Sequence, residues 1–139
     1  DALRSGRAAE TFARMIAMLG GPSDFVEKAE RHLPKANVVR PVAAQHAGFV
    51  RGVATRDIGL AVVALGGGRT RPQDAVDHSV GLTHLLPIGA DVARGDMLCL
   101  VHARNEADAD RAAEAVQSAY TLSGGRRPAK STVIQRRIA

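Results

Sequence analysis

Apolar residues recur at helical spacing near the start of the chain, and this spacing predicts a helix from Gly6 to Leu19. We expect the hydroxyl of Ser5 to cap the N-terminus of this helix. The turn Gly20–Pro22 ends it, because glycine and proline do not continue a helix. A shorter helix is predicted between Ser23 and Pro34. The apolar stripe of the first helix contains Ala8, Phe12, Met15, Ile16 and Leu19.

The pattern changes after Pro34, where short runs rich in β-branched residues replace the helical spacing. The runs ANVVRPVAA and GFVRGVA, separated by the turn QHAG, predict two strands. The segment RDIGLAVVAL that follows is apolar on nearly every side, which predicts a buried helix. We expect Thr55 to cap the N-terminus of this helix and Gly66 to end it in the left-handed conformation.

The second half of the chain alternates between strand and helix patterns. SVGLTHLL predicts one strand, and IGADVARGDMLCLVHA predicts a strand, a tight turn and another strand. Asn105 caps a helix that ends at Ser123–Gly125, and STVIQRRI predicts a last strand. This order predicts an α+β fold with a mostly antiparallel sheet, preceded by a helical pair. The helix after Asn105 is expected to bury Ala109, Ala112, Ala113, Val116 and Tyr120.

Composition narrows the classes of protein to which this chain can belong. The formal net charge of +5 invites a nucleic-acid-binding interpretation, but the basic residues are spread along the chain apart from a modest cluster between Arg126 and Arg137. Aromatic residues make up only 3% of the chain, so platforms for base stacking are lacking. No apolar run approaches the roughly 20 residues that span a bilayer. The single Cys99 suits a reducing compartment, so we expect a cytoplasmic protein. From the dispersed charge, the few aromatic residues and the short apolar runs, we expect neither nucleic-acid nor membrane partners.

The candidate chemistry lies in the run LGGGRTRP, where three glycines lead into Arg69 and Arg71. A phosphate cradle needs glycines in front of a helix, where backbone N–H groups point at the anion. These glycines follow a helix instead, where carbonyl groups and negative partial charge are exposed. Two guanidinium groups on a flexible backbone can clamp an anion with forked hydrogen bonds. The residues alone favour the simpler interpretation, a helix stop followed by a solvated loop.

Other polar residues offer weaker candidates. His78 and His84 lie on one face of the predicted strand if that strand is regular, but their spacing matches no metal-ligand motif, so we predict no metal site. Cys99 lies in the apolar run MLCLV and is expected to be an inert core thiol. His102 has no nucleophilic partner nearby in the sequence, so a catalytic role has no local support.

Three segments carry a resemblance to a known family. SGRAAETFARMIAMLGGPSDF, TRDIGLAVVALGGGR and VGLTHLLPIGADVARGDMLCLVHA resemble the C-terminal part of the pyrimidine nucleoside phosphorylases, the family of thymidine phosphorylase. The resemblance covers nearly the whole chain and keeps the order of the motifs. It implies an α/β-hammerhead domain over residues 35–139. Residues 1–34 would then be the helical tail of a larger α/β domain that lies upstream.

The resemblance also implies a reaction. In this family, phosphate attacks C1′ of thymidine or deoxyuridine to give the free base and 2-deoxyribose 1-phosphate. The expected enzyme is a homodimer that uses inorganic phosphate as co-substrate and needs no cofactor. The catalytic and substrate-binding segments of the family lie upstream of Asp1, so no catalytic residue is assigned here and the chain alone is expected to be inactive. The resemblance places a substrate-closure loop at Gly66, Gly67, Gly68, Arg69, Thr70 and Arg71, with Arg71 the weaker candidate.

Three alternatives stay open at this point. The last of the three resembling segments is also similar to biotinyl and lipoyl carrier domains, although its tight turns lack the modifiable lysine. A phosphorylase acting on another nucleoside or nucleotide would carry the same C-terminal motifs. A nucleic-acid-binding module is opposed by the dispersed basic charge and the scarcity of aromatic residues.

Overall fold

The computed structural model describes residues 1–125 and 127–128, and the chain divides into two compact units. The first unit is Asp1–Lys35, and the second begins at Ala36. Among the described residues, none of the helices is long and apolar enough to cross a bilayer. The helices, in chain order, are α1 Arg7–Met18, α2 Phe25–His32, α3 Thr55–Val62 and α4 Glu106–Ala119. The strands are β1 Val38–Ala43, β2 Gly48–Val53, β3 Gly81–Thr83, β4 Asp91–Val92, β5 Met97–Ala103 and β6 Tyr120–Ser123.

The first unit is a helical pair with little interior. The rings of Phe12 and Phe25 meet edge to face at a centroid distance of 6.2 Å, and every residue of α1 and α2 is exposed or half-buried. The predicted cap at Ser5 is wrong. Gly6 occupies the N-cap position in the left-handed conformation (φ 81°), and the Ser5 hydroxyl instead donates to the Ala2 carbonyl at 3.3 Å. The Ser5 hydroxyl is therefore hydrogen-bonded within the turn that precedes α1.

The strands of the second unit form two three-stranded sheets instead of the single sheet that we expected. One sheet has the order β1-β5-β3 and the other β4-β2-β6, and all the pairings between described strands are antiparallel. The prediction of an α+β fold with antiparallel strands is confirmed, although the strands form two sheets. The two strands that flank the Gly95 turn, β4 and β5, belong to different sheets, so the turn crosses from one layer to the other.

The core lies where the two sheets meet α4. The larger side chains that are fully buried there are Val42, Val50, Leu65, Leu98, Cys99, Val101 and Val116. Cys99 is fully buried, which confirms its expected place in the core, and burial raises the pKa of its thiol to about 11. The predicted cap of α4 is also confirmed, because the Asn105 side chain accepts a hydrogen bond from the Asp108 amide at 2.8 Å. The alanines of the predicted stripe are buried or half-buried, which lets the helix backbone approach its neighbours closely.

Two helix predictions need correction. Thr55 is the first residue of α3 rather than its cap; Ala54 holds the cap position, and the Thr55 hydroxyl donates to the Val53 carbonyl at 3.4 Å. The helix is also not enclosed. Ala61 is its buried residue, whereas Leu60 is 51% exposed. One side of α3 packs on α4, while Leu60 is half exposed.

The end of α4 also differs from the prediction. The helix stops at Ala119 and passes directly into β6, so Tyr120 is the first residue of a strand and not the last of a helical stripe. Pairing of β6 with β2 outweighs the local pattern, and the buried Tyr120 hydroxyl donates to the Leu86 carbonyl at 3.0 Å. The predicted final strand, STVIQRRI, lies outside the described residues.

Candidate functional site

The candidate site is the segment that joins α3 to β3, here called the arginine loop (residues 66–77). α3 continues into a wider π-type turn, Val63–Gly67, and Gly66 leaves it with φ 99°. The predicted left-handed glycine at this helix end is therefore confirmed. The Asp77 amide donates to the Gly66 carbonyl at 2.9 Å. This hydrogen bond brings the two ends of the arginine loop together and forms its base.

Gly67 and Gly68 are required by packing. A Cβ on Gly67 would lie 2.9 Å from Val62 Cγ1, and a Cβ on Gly68 would lie 2.7 Å from Val63 Cγ2. Real Cβ atoms do not approach carbon atoms so closely, because repulsion rises steeply inside van der Waals contact. The backbone thus folds back onto the end of α3, and only glycine fits there. The sequence alone had suggested flexibility as the role of these glycines.

Asp74 organises the tip of the arginine loop. One of its carboxylate oxygens accepts hydrogen bonds from the Thr70 hydroxyl at 2.6 Å, the Thr70 amide at 3.2 Å and the Arg71 amide at 2.9 Å. The other oxygen accepts from the Arg71 guanidinium at 3.1 Å. The Thr70 hydroxyl and the Arg71 amide lower the pKa of Asp74. The Arg71 guanidinium is therefore already paired with a carboxylate of the same loop.

Arg69 has different surroundings. Its side chain is exposed and makes no hydrogen bond or ion pair with any residue that the structure describes. A guanidinium group presents five N–H donors in a planar fork that matches phosphate and carboxylate oxygens. Of the two arginines in the predicted loop, Arg69 is therefore the one whose donors are available to an anion.

Two polar residues near the base of the arginine loop, Ser79 and Arg104, were not singled out by the sequence alone. Asp77 accepts hydrogen bonds from the hydroxyl and the amide of Ser79, at 2.6 and 2.9 Å. These bonds lower the pKa of Asp77, and the positive charge of Arg104 lowers it further. Arg104 in turn pairs with Asp108 in the first turn of α4. The sequence offered no signal for this cluster, because Arg104 lies far along the chain from Gly66.

The histidines that the sequence analysis considered are placed apart from the loop tip. His102 Nε2 lies 2.8 Å from the Thr83 hydroxyl oxygen, and His84 Nδ1 lies 3.1 Å from the same oxygen. His84 has a positive φ of 56° and follows the last residue of β3. The strand expected from His78 to His84 is therefore only three residues long, Gly81–Thr83. Within residues 1–125 and 127–128, no group of three or more His, Cys, Asp or Glu side chains is arranged to hold a metal ion.

Cavities within the second unit are small or shallow. A cleft of about 70 Å³ lies between α3 and α4, well below the roughly 300 Å³ of small-molecule sites. A wider, open groove of about 350 Å³ runs along the same two helices. Alanine side chains and Leu60 form most of its lining, with Asp57 as the charged member. Arg111 lines the smaller cleft together with Asp108, with which it forms an ion pair, and that cleft is too small for a nucleoside.

Comparisons with known proteins identify close relatives. Residues 49–123 match the family model described as the pyrimidine nucleoside phosphorylase C-terminal domain. Thymidine phosphorylase from Mesorhizobium japonicum is 60% identical over 99% of this chain. The thymidine phosphorylases from Burkholderia cenocepacia and Agrobacterium fabrum are 53% and 42% identical over 98% and 97% of it. In each case the chain spans 31% of the length of the relative.

Proposed function

The chain belongs to the pyrimidine nucleoside phosphorylase C-terminal domain family, and from this premise we propose that it forms the C-terminal domain of a thymidine phosphorylase. The observation that carries the proposal is a 60% identity, over 99% of the chain, to a protein named thymidine phosphorylase. We assign the second unit to an α/β-hammerhead domain. The helical pair, residues 1–34, is assigned to the tail of a preceding α/β domain.

The proposed reaction is the reversible phosphorolysis of thymidine. A phosphate oxygen forms a bond to C1′ of the deoxyribose while the bond from C1′ to the pyrimidine nitrogen breaks. The electron pair of that bond leaves with the base, which takes up a proton and departs as thymine, and 2-deoxyribose 1-phosphate remains. Inorganic phosphate is the co-substrate and no cofactor takes part. The functional enzyme is proposed to be a homodimer.

Within this enzyme the chain contributes closure and support. The cleft between α3 and α4, at about 70 Å³, is too small for a nucleoside, and we assign substrate binding to the remainder of the enzyme. The arginine loop is proposed to close over the substrates, with Gly66, Gly67 and Gly68 shaping its start and Arg69 as its available cation. Positive charge brought near the phosphate and the departing base in the closed state would stabilise the charge that develops in the transition state. Thr70 and Arg71 belong to the same loop as supporting residues, since Asp74 engages both.

The carrier-domain alternative gains no support from the fold. The tight turn between β4 and β5 presents Arg94 and Gly95, neither of which accepts biotin or lipoate. A carrier domain needs a lysine at such a turn. The two strands also belong to different sheets and do not form a hairpin with each other.

The proposal is tested by comparing two proteins, the 139-residue chain and a full-length enzyme that ends in this sequence. Each is incubated with thymidine and phosphate, and thymine release is followed by chromatography. We expect phosphate-dependent thymine release from the full-length enzyme and none from the chain alone. Release by the chain alone at a rate within a few fold of the full-length enzyme would contradict the assignment of substrate binding to other segments. A full-length enzyme that cleaves another nucleoside but not thymidine would overturn the proposed substrate.

A further inference from the structure

The two ends of the arginine loop meet at its base. The hydrogen bond from the Asp77 amide to the Gly66 carbonyl joins the two ends. A Cβ built on Gly66 would lie 3.7 Å from the Arg104 guanidinium carbon and 3.8 Å from Asp77 Cβ. Arg104 and Asp77 therefore lie beside Gly66, on the side where a side chain would project, at the position where the loop leaves the helix.

Arg104 is itself fixed from the opposite side. Its Nε donates to one carboxylate oxygen of Asp108 at 3.2 Å, and its Nη2 forms an ion pair with the same oxygen at 3.1 Å. Asp108 is only 6% exposed, and Asn105 Nδ2 also donates to it at 3.1 Å. A buried carboxylate with this many donors has one well-defined orientation, because any other would leave its charge unpaired. The guanidinium of Arg104 thus lies between Asp108 of α4 and the start of the arginine loop at Gly66.

We propose that Arg104 is a positioning residue of the enzyme: its guanidinium, anchored by Asp108, fixes the base of the arginine loop and thereby the direction in which Arg69 is presented when the loop closes. The proposal rests on the closure role proposed above. Arg104 itself contacts no substrate in this scheme and acts through the loop. The charges suit this role as well, because the positive Arg104 attracts the negative Asp77 at the loop base.

Arg111 provides a matched control. It also pairs with Asp108, through the other carboxylate oxygen, but it does not contact Gly66. An Arg104→Gln variant and an Arg111→Gln variant each remove one positive charge from the same buried carboxylate and leave the other arginine in place. Both side chains are at least half exposed, at 51% and 69%, so neither change opens a cavity in the core. Only the change at Arg104 removes a guanidinium group that lies beside the loop base and attracts Asp77.

The structural experiment is amide hydrogen exchange on the chain. The Asp77 amide reports directly on the hydrogen bond that closes the loop base. We expect it to exchange at least about tenfold faster in Arg104→Gln than in Arg111→Gln, because local opening at that point costs less free energy. Arg104→Lys retains the charge without the planar fork and is expected to fall between the two. Equal exchange in the two glutamine variants would overturn the proposal.

The kinetic experiment uses the full-length enzyme with thymidine and phosphate. Misplacement of a closure group lowers the rate of the chemical step, so Arg104→Gln should reduce kcat and kcat/KM together by about 10-fold to 100-fold. The KM for thymidine should stay within about twofold, and Arg104→Lys should recover part of the rate. Faster exchange with wild-type kinetics would overturn the positioning role in the reaction. A wild-type enzyme that releases no thymine would instead overturn the proposed function, whatever the exchange result.

Discussion

Two arginines that lie two positions apart in the arginine loop have different surroundings. The guanidinium of Arg71 is paired with Asp74 at 3.1 Å, whereas Arg69 is exposed and makes no ion pair with any described residue. In the full-length enzyme, Arg69→Ala should therefore lower kcat and kcat/KM together, by about tenfold or more, because a closure contact made mainly in the transition state is lost. The Tm should change little, since removing an exposed side chain alters stability by only about 0.5 kcal/mol.

Arg71→Ala is the comparison for this prediction. Its expected effect on kcat is smaller, because its charge is already neutralised within the loop. Steady-state kinetics with thymidine and phosphate, paired with thermal melts, check both variants. Wild-type kinetics for Arg69→Ala and Arg71→Ala alike would reduce the loop to a helix stop followed by a solvated turn.

The carboxylate of Asp74 makes the loop tip sensitive to acid. Its hydrogen bonds from Thr70 and Arg71 hold the pKa below the ordinary value of 3.8. A carboxyl group whose pKa is lowered on folding stabilises the folded loop above the unfolded pKa, and that contribution is lost as the pH falls through the folded pKa. The tip should therefore stay ordered at neutral pH and loosen only below about pH 3.8.

An NMR titration of the Thr70 and Arg71 amide signals checks this prediction. We expect both signals to shift with a common midpoint below 3.8 in the wild-type chain. In Asp74→Asn the shift should be absent, and the two amides should exchange faster with solvent at neutral pH. A midpoint at or above the ordinary carboxyl value would show that these hydrogen bonds do not favour the charged form.

At the scale of the elements, the end of α3 depends on glycine for close packing. A Cβ on Gly68 would lie 2.7 Å from Val63 Cγ2, whereas a Cβ on Gly59 in the same helix meets nothing within 4 Å. Gly68→Ala should lower the free energy of unfolding by about 1–3 kcal/mol, the usual cost of overpacking. Gly59→Ala should raise it by up to about 1 kcal/mol, because alanine favours the helical backbone.

Urea denaturation of the two variants gives the comparison directly. The opposite signs are diagnostic, because the two substitutions add the same methyl group to the same segment of chain. If Gly68→Ala proved as stable as the wild type, the close approach of the loop backbone to α3 would not exist in solution.

At the scale of the whole molecule, the two units differ in how much they bury. Every residue of α1 is exposed or half-buried, with Met18 at 87%, whereas α4 buries Ala109, Ala112 and Val116. In the isolated chain, the amides of α1 should exchange at least about tenfold faster than those of α4, because helices with few buried contacts open at low free-energy cost. Hydrogen exchange with mass spectrometry, repeated at several protein concentrations, measures this difference.

The concentration series separates intrinsic stability from self-association. Protection of α1 that rises with concentration would indicate that copies of the chain cover its apolar face. Protection of α1 equal to that of α4 at every concentration would contradict the expected division between a loosely held helical pair and an independent core.

The sequence by itself determined the features that depend on local patterns. The cap at Asn105, the left-handed Gly66 and the buried Cys99 each follow from a few neighbouring residues, because backbone preferences and periodic burial act over one or two turns. The approximate places of α1, α3, β1 and β2 follow for the same reason. Local rules were less reliable at helix starts. Ser5 and Thr55 are residue types that commonly cap helices, but here their hydroxyl groups donate to nearby backbone carbonyls instead.

Only the tertiary structure decided which strands pair and what surrounds the arginine loop. β1 pairs with β5 across about half of the chain, and β6 begins where the local pattern continued a helix. The proximity of Arg104 to Gly66 likewise brings together positions distant in sequence. Such pairings are decided by the burial and hydrogen bonding of the whole fold, which overrides local propensity. If α4 packed elsewhere, Arg104 would still pair with Asp108, four residues along the chain, but it would no longer lie beside Gly66.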